Sequence, residues 1–152
     1  MYSREESSRL KHEFWTAFGR YMRPVLSSEG LRINWVNYHT GIRDVYFRME
    51  ATHRNASISI SLEHNDPAIQ ELFFEQFLEL KDLLHQQLDE VWEWQLHTRS
   101  RDRVVSQISK TLPDVSVMDR DHWPELISFF KPRIIALDEF WENSKYAFDA
   151  LR

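Results

Sequence analysis

The chain has 152 residues, with 19 Lys and Arg against 24 Asp and Glu, a formal charge of −5, three Gly and no Cys. That length fits one domain spanning 1–152, and the missing Cys excludes a disulfide framework, a thiolate metal site and a cysteine nucleophile. No phosphate-cradling glycine motif, membrane-length apolar run or signal-peptide core at 1–11 occurs, so a cytoplasmic protein without membrane attachment is expected.

Residues 3–26 read as a helix. Leu10, Phe14, Phe18, Tyr21, Met22 and Val25 keep the 3.6-residue period, Ser3 or Ser7 offers a cap, and Pro24 marks the end. Three short strands are expected next. The first, at about 32–38, alternates Ile33 and Trp35 with Asn34, Val36 and Tyr38, and Thr40-Gly41 supplies a turn. The second, at about 43–51, sets Val45, Phe47 and Met49 against Tyr46, Arg48 and Glu50. The third, at about 56–63, alternates Ile58, Ile60 and Leu62 with Ser57, Ser59, Ser61 and Glu63. Such alternation belongs to antiparallel strands with one face on a core.

Asp66-Pro67 opens a second helix, a carboxylate cap followed by Pro at the first helical position, running to about Gln87. Its apolar stripe holds Ile69, Leu72, Phe73, Phe77, Leu80, Leu83 and Leu84. Phe74 and Leu78 lie off that stripe, which points to a second apolar contact and to self-association. Two more strands, at about 91–98 and 103–110, form a hairpin. A short strand at 115–118 and a terminal helix opened by Asp121-His122-Trp123-Pro124 complete the chain, with a break expected near Lys131 before Pro132. The order α-βββ-α-ββ-α predicts an α+β fold, an antiparallel sheet of about five strands packed against three helices.

Charge is segregated along this order. Residues 1–60 sum to +3, residues 61–93 to −8, and residues 94–152 balance. Glu71, Glu75, Glu79 and Asp82 make one stripe of the second helix, read first as a solvated face and second as a docking surface for a basic partner. The densest basic cluster is Arg99, Arg101 and Arg103 at the hairpin tip, either a solvated turn or a phosphate-contacting one.

Several chemistries lack their residues. A metal-dependent nuclease needs an acid-x-Lys pair on a strand beside another acid. Glu63 is followed two positions on by Asn65, and Glu79-Leu80-Lys81 is helical. The seven His show no zinc-ligand spacing, so neither metal nor cofactor is expected, and no G-x-S-x-G presents a serine nucleophile. Most Trp fall on apolar faces, with Trp123 the one placed for exposure. The candidate binding face is the polar side of the sheet: Tyr38, Tyr46, Arg48, Glu50, Glu63, Gln95 and His97, with Ser59 and Ser61. It reads either as a solvated surface with Arg–Glu pairs or as a ligand face anchored by Arg48.

Several stretches together resemble DUF4268, a bacterial family of domains of unknown function. They are Phe14-Trp15-Thr16-Ala17-Phe18-Gly19, Ile33-Asn34-Trp35-Val36-Asn37-Tyr38, Val45-Tyr46-Phe47-Arg48-Met49, Ile69 to Phe77, Trp92-Glu93-Trp94-Gln95, and Trp123-Pro124 continued by Ser128 to Trp141. The resemblance covers about residues 10–151 and implies no particular reaction. Related domains stand behind a nuclease-like domain in longer bacterial proteins, which implies an accessory module of DNA processing or defence. The expected function is a non-catalytic interaction module for a protein partner or nucleic acid. The alternative is a small-molecule enzyme using Glu63, Arg48 and His97 on the polar face, which requires a concave pocket and a perturbed carboxylate.

Overall fold

The computed structural model describes residues 2–152. Its elements in chain order are α1 (Arg4–Met22), β1 (Val45–Ala51), β2 (Asn55–Leu62), α2 (Pro67–Glu79), α3 (Lys81–Leu88), β3 (Glu93–Ser100), β4 (Arg103–Pro113) and α4 (Trp123–Ser144). Single 3-10 segments at Arg120–His122 and Lys145–Leu151 flank α4. The fold is α+β with one antiparallel sheet, ordered β1-β2-β4-β3. The described residues form four strands and four α-helices in the order α-ββ-αα-ββ-α, rather than about five strands and three helices.

Local signals explain most of these boundaries. Ser3 Oγ accepts the Glu6 N–H at 3.1 Å and starts α1, which buries Leu10, Phe14, Phe18 and Met22 along one stripe. Asp66 caps α2 by accepting the Ala68 N–H at 2.9 Å, with Pro67 at the first helical position.

The expected strand at 32–38 does not form, because Asn34 Oδ1 accepts the Asn37 N–H at 3.0 Å and closes a turn there, while the chain on both sides of that turn is fastened to α4. Asp138 of α4 accepts the Tyr38 hydroxyl at 2.6 Å and the Ser28 N–H at 2.8 Å, and Trp141 Nε1 donates to the Thr40 carbonyl at 2.7 Å. Trp35 is buried and donates to the Val25 carbonyl at 2.9 Å. The segment is a strap stitched to a helix.

Three further expectations need correction. The second helix divides at Leu80, where the backbone leaves helical geometry (φ −99°, ψ 8°) with no Gly or Pro present. Residues 115–118 form no strand, although Val115 and Val117 donate to the carbonyls of Arg54 and Thr52 beside the β1–β2 turn. Helix α4 runs unbroken through Pro132, which sits on an exposed side together with Ser128, the residue whose carbonyl loses its donor. Water can satisfy that carbonyl.

All four helices contribute to one hydrophobic cluster on one side of the sheet. Phe47, Ile58, Ile60, Leu62 and Ile108 point into it from the strands. Phe77, Trp141 and Phe148 meet them from the helices, with ring centroids 4.5 to 6.1 Å apart. Trp123 is half-buried rather than exposed, edge-on to Phe14 at 5.5 Å and donating to the Val117 carbonyl at 2.8 Å. Among the described residues, the opposite side of the sheet carries no helix.

Candidate functional site

The strand register defines the floor of that open side. Ser57, Ser59 and Ser61 of β2 stand opposite Glu50, Arg48 and Tyr46 of β1, and opposite Thr111, Ser109 and Gln107 of β4. Gln95 of β3 closes one row, accepting a hydrogen bond from Gln107 Nε2 at 2.9 Å. Period 2 puts all of these on one face, and the β2 residues that line the cleft, Ser57, Ser59 and Ser61, are all serines.

The floor is concave because the β3–β4 hairpin bends back over it. The pairing shifts register between Gln95 and Thr98, and His97 there adopts a left-handed backbone (φ 51°). A buried polar chain fixes the bend. His97 N–H donates to Ser106 Oγ at 3.0 Å, Ser106 donates to Gln70 Oε1 at 2.9 Å, and Gln70 Nε2 donates to the carbonyls of His64 and Val104 at 2.7 and 2.9 Å. The hairpin tip, residues 100–103, thereby overhangs the sheet, and Arg101 lies 3.7 Å from Glu50. The cleft beneath the tip, open to solvent, has a volume of about 620 Å³, within the range of small-ligand sites.

One cluster organises its charge. Glu63, where β2 ends, is buried between two arginines. Arg48 Nε and Nη2 donate to its two carboxylate oxygens at 2.9 and 3.0 Å, and Arg103 Nη1 lies 3.5 Å from Oε1. Arg103 Nη2 also donates to the Glu63 carbonyl. Burial pushes the Glu63 carboxyl upward, but hydrogen bonds from Arg48 and Ser61 and the charges of Arg48 and Arg103 outweigh it and hold the group below its ordinary value. The Arg48 guanidinium also lies over the Tyr46 ring, 4.1 Å from its centroid.

The structure sorts the sequence candidates. Tyr46, Arg48, Glu50, Glu63 and Gln95 share the polar face, and Arg101 and Arg103 join them from the tip. Arg99 does not line the cleft; it pairs with Val104 in the ladder. Tyr38 is displaced to the α4 side, buried against Phe47 and bonded to Asp138, because the strand expected to carry it is a strap. His97 leaves the face at the bulge and contacts the Pro67 carbonyl at 2.8 Å. Sequence reasoning missed Gln107, Ser109 and Thr111, because Val105 on their own face and Ser106 and Lys110 on the other blur the alternation of this strand. It also missed Gln70 and Ser106, which carry no local signal.

The arrangement suits holding a ligand better than moving its protons. The cleft's buried carboxylate is kept ionised with both oxygens engaged, and the histidine expected beside it faces helix α2. Among the described residues, no group of three or more His, Cys, Asp or Glu is placed to hold a metal ion, and no helix is long and apolar enough to cross a membrane. A smaller cavity of about 230 Å³ lies under the strap beside Tyr38, Asp138, Glu29 and Glu142. Asp138 is committed there to Tyr38 and Ser28, which makes it a fastening point. Phe74, off its helix stripe, packs edge-on against Trp94 at 5.7 Å, so its apolar surface is used within the chain.

Residues 10–145 match the model of a protein family described as Domain of unknown function (DUF4268). No curated protein and no solved structure matches the chain.

Proposed function

The chain belongs to the DUF4268 family, and from that premise we propose that it is a non-catalytic interaction module gripping its partner through the concave polar face of the sheet. The carrying observation is the uncovered hydroxyl and amide floor, overhung by a hairpin that brings Arg101 and Arg103 toward Arg48. Small serines let an extended chain approach the sheet closely, and the arginines offer planar donors from above. Apart from Val105, the lining is polar, so the partner is recognised by hydrogen bonds and charge rather than by apolar burial. A nucleic-acid strand fits that description better than a protein helix presenting an apolar stripe. In a bacterial cell such a module would act as an accessory to DNA processing or defence.

Concavity also favours the second reading, a small-molecule enzyme. The ionised, doubly paired Glu63 and the averted His97 count against acid–base work there.

Mapping backbone amides of the isotope-labelled chain during titration with a short oligothymidylate strand tests the module. Shifts are expected at Ser57 to Glu63, Arg101 to Thr111 and Arg48. Shifts confined to the helical side would overturn the reading. So would turnover of a phosphoester or glycoside panel that Glu63→Gln abolishes.

A further inference from the structure

We propose that Arg48 and Arg103, preset by Glu63, form a phosphate-binding subsite at one end of the cleft; this rests on the polar face being the binding face. The two guanidiniums share one carboxylate oxygen, Glu63 Oε1, at 3.0 and 3.5 Å. One bidentate arginine already neutralises a carboxylate, so the second leaves an uncompensated positive charge beside a buried anion. Two cations held against one oxygen also repel each other, and a further anion bridging them relieves that repulsion.

Donors remain for such an anion. Arg48 uses Nε and Nη2, and Arg103 uses Nη1 and Nη2, leaving Arg48 Nη1 and Arg103 Nε without a hydrogen bond among the described residues. Both side chains are about half exposed, at 45% and 50%, while Glu63 at 11% stays beneath them. Glu63 thus orients the forks from below without blocking them from above. Of the other acids lining the cleft, Glu50 is matched by Arg101, and Asp102 is exposed at the hairpin tip.

Phosphate fits this end better than carboxylate does. A phosphate monoester offers three terminal oxygens, and a diester two set tetrahedrally, to two guanidinium forks, and arginine's fixed geometry suits bidentate oxyanion recognition. The hydroxyls of Ser59 and Ser109 and the amide of Gln107 line the same cleft. They can hydrogen-bond to a sugar joined to that phosphate, through its ring and ester oxygens and any free hydroxyl. The recognised unit is therefore a sugar phosphate, supplied either free or as one link of a single strand.

Amide mapping of the full chain with three probe pairs tests the subsite. Ribose 5-phosphate is compared with ribose, oligothymidylate with its uncharged methylphosphonate analogue, and the wild type with Arg103→Lys. Signals of Arg48, Glu63 and Arg103 are expected to move with a phosphate-bearing probe and not with its uncharged counterpart. Arg103→Lys, which keeps the charge and loses the fork, is expected to weaken binding on the order of tenfold. Response to the free sugar phosphate identifies a soluble ligand, and response to the strand alone identifies a nucleic-acid source; either supports the subsite. Equal response to the methylphosphonate strand, or movement of the serine floor without the arginine pair, overturns the subsite while leaving the polar face as the binding face. Movement only on the helical side overturns both. The wild-type arms stay decisive even if the variant fails to fold.

Discussion

The two faces of the sheet are made by alternate residues of the same strands, and they are built by opposite rules. On one face Ile58, Ile60 and Leu62 of β2 are wholly buried beneath aromatic helices. On the other, Ser57, Ser59 and Ser61 occupy the intervening positions and no helix covers them. A face meant only to be wet usually carries long charged side chains, which shield the backbone and blunt association. Here the charged groups stand at the margins on β1 and the hairpin, and the smallest hydroxyls take the centre. One face supplies stability, and the other leaves room.

The sharpest way to break that contrast is a pair of neighbouring substitutions. Ile60→Ala empties a fully buried site and is expected to cost about 2–5 kcal/mol. Ser59→Ala, one residue away on the open face, is expected to change stability by less than about 0.5 kcal/mol. Denaturant midpoints at unchanged slope measure both. Comparable losses would show that the polar face is structural after all.

Glu63 is where the polar face becomes costly to disturb. Arg48→Ala removes its bidentate partner and leaves a buried carboxylate with Arg103 and the Ser61 hydroxyl. Because Arg48 is half exposed, solvent discounts the loss to about 1–2 kcal/mol. The pH dependence has a definite sign. The folded-state value of Glu63 is lowered, so its stabilising contribution is complete above the ordinary carboxylate range and is lost as pH falls through that range toward the folded value. Arg48→Ala is expected to flatten this acid limb. An unchanged limb in unfolding measured from about pH 6 to pH 3 would remove the Arg48–Glu63 pair as its cause.

Much of this contrast was legible beforehand, and the failures share a physical cause. Strict alternation from Ser57 to Leu62 identified a strand with a polar and an apolar side, and Asp66-Pro67 marked a helix start, because both are local signals. Tyr38 was misplaced because Ile33 and Trp35 imitate strand alternation while their segment is held by Asp138 and Trp141, about a hundred residues away. His97 was misplaced because one bulge reverses the facing of the residues beyond it, and that bulge is fixed by Gln70 and Ser106 from other elements. The break at Leu80 carries no Gly or Pro to announce it. The floor residues on β4 were hard to read because Val105 interrupts the polar series on their face and Ser106 and Lys110 interrupt the apolar series on the other.

Among the titratable groups on the apolar side, His64 sharpens the contrast further. His64, next to Glu63 but facing the core, is buried and stacks on Phe73 at a centroid distance of 4.6 Å. Its Nδ1 has no partner among the described residues. Burial pushes its affinity for a proton down, against a smaller opposing pull from Asp44. The unfolded chain therefore binds the proton first, and stability is expected to decline as pH falls below the ordinary histidine value of 6.5. His64→Phe should keep the stacking and remove that decline. A variant losing as much stability as the wild type between about pH 7 and pH 5 would place the dependence elsewhere.

The smallest expected stability effect comes from the residue that closes the cleft. Arg101 is 86% exposed and meets Glu50 at 3.7 Å, a separation and exposure at which an ion pair contributes little. Arg101→Ala is expected to shift stability by less than about 0.5 kcal/mol. Its functional effect should be larger, because the overhanging tip is held to β1 only by that contact among the ion pairs of the described residues. Removing it should raise amide hydrogen exchange at residues 100–103 while leaving exchange in β2 unchanged. Oligothymidylate affinity should fall at low salt, with the two proteins converging as salt rises. A loss of stability as large as that of Arg48→Ala would make the tip part of the folded core. Unchanged binding would reduce the cleft to the serine floor and the Arg48–Glu63–Arg103 cluster.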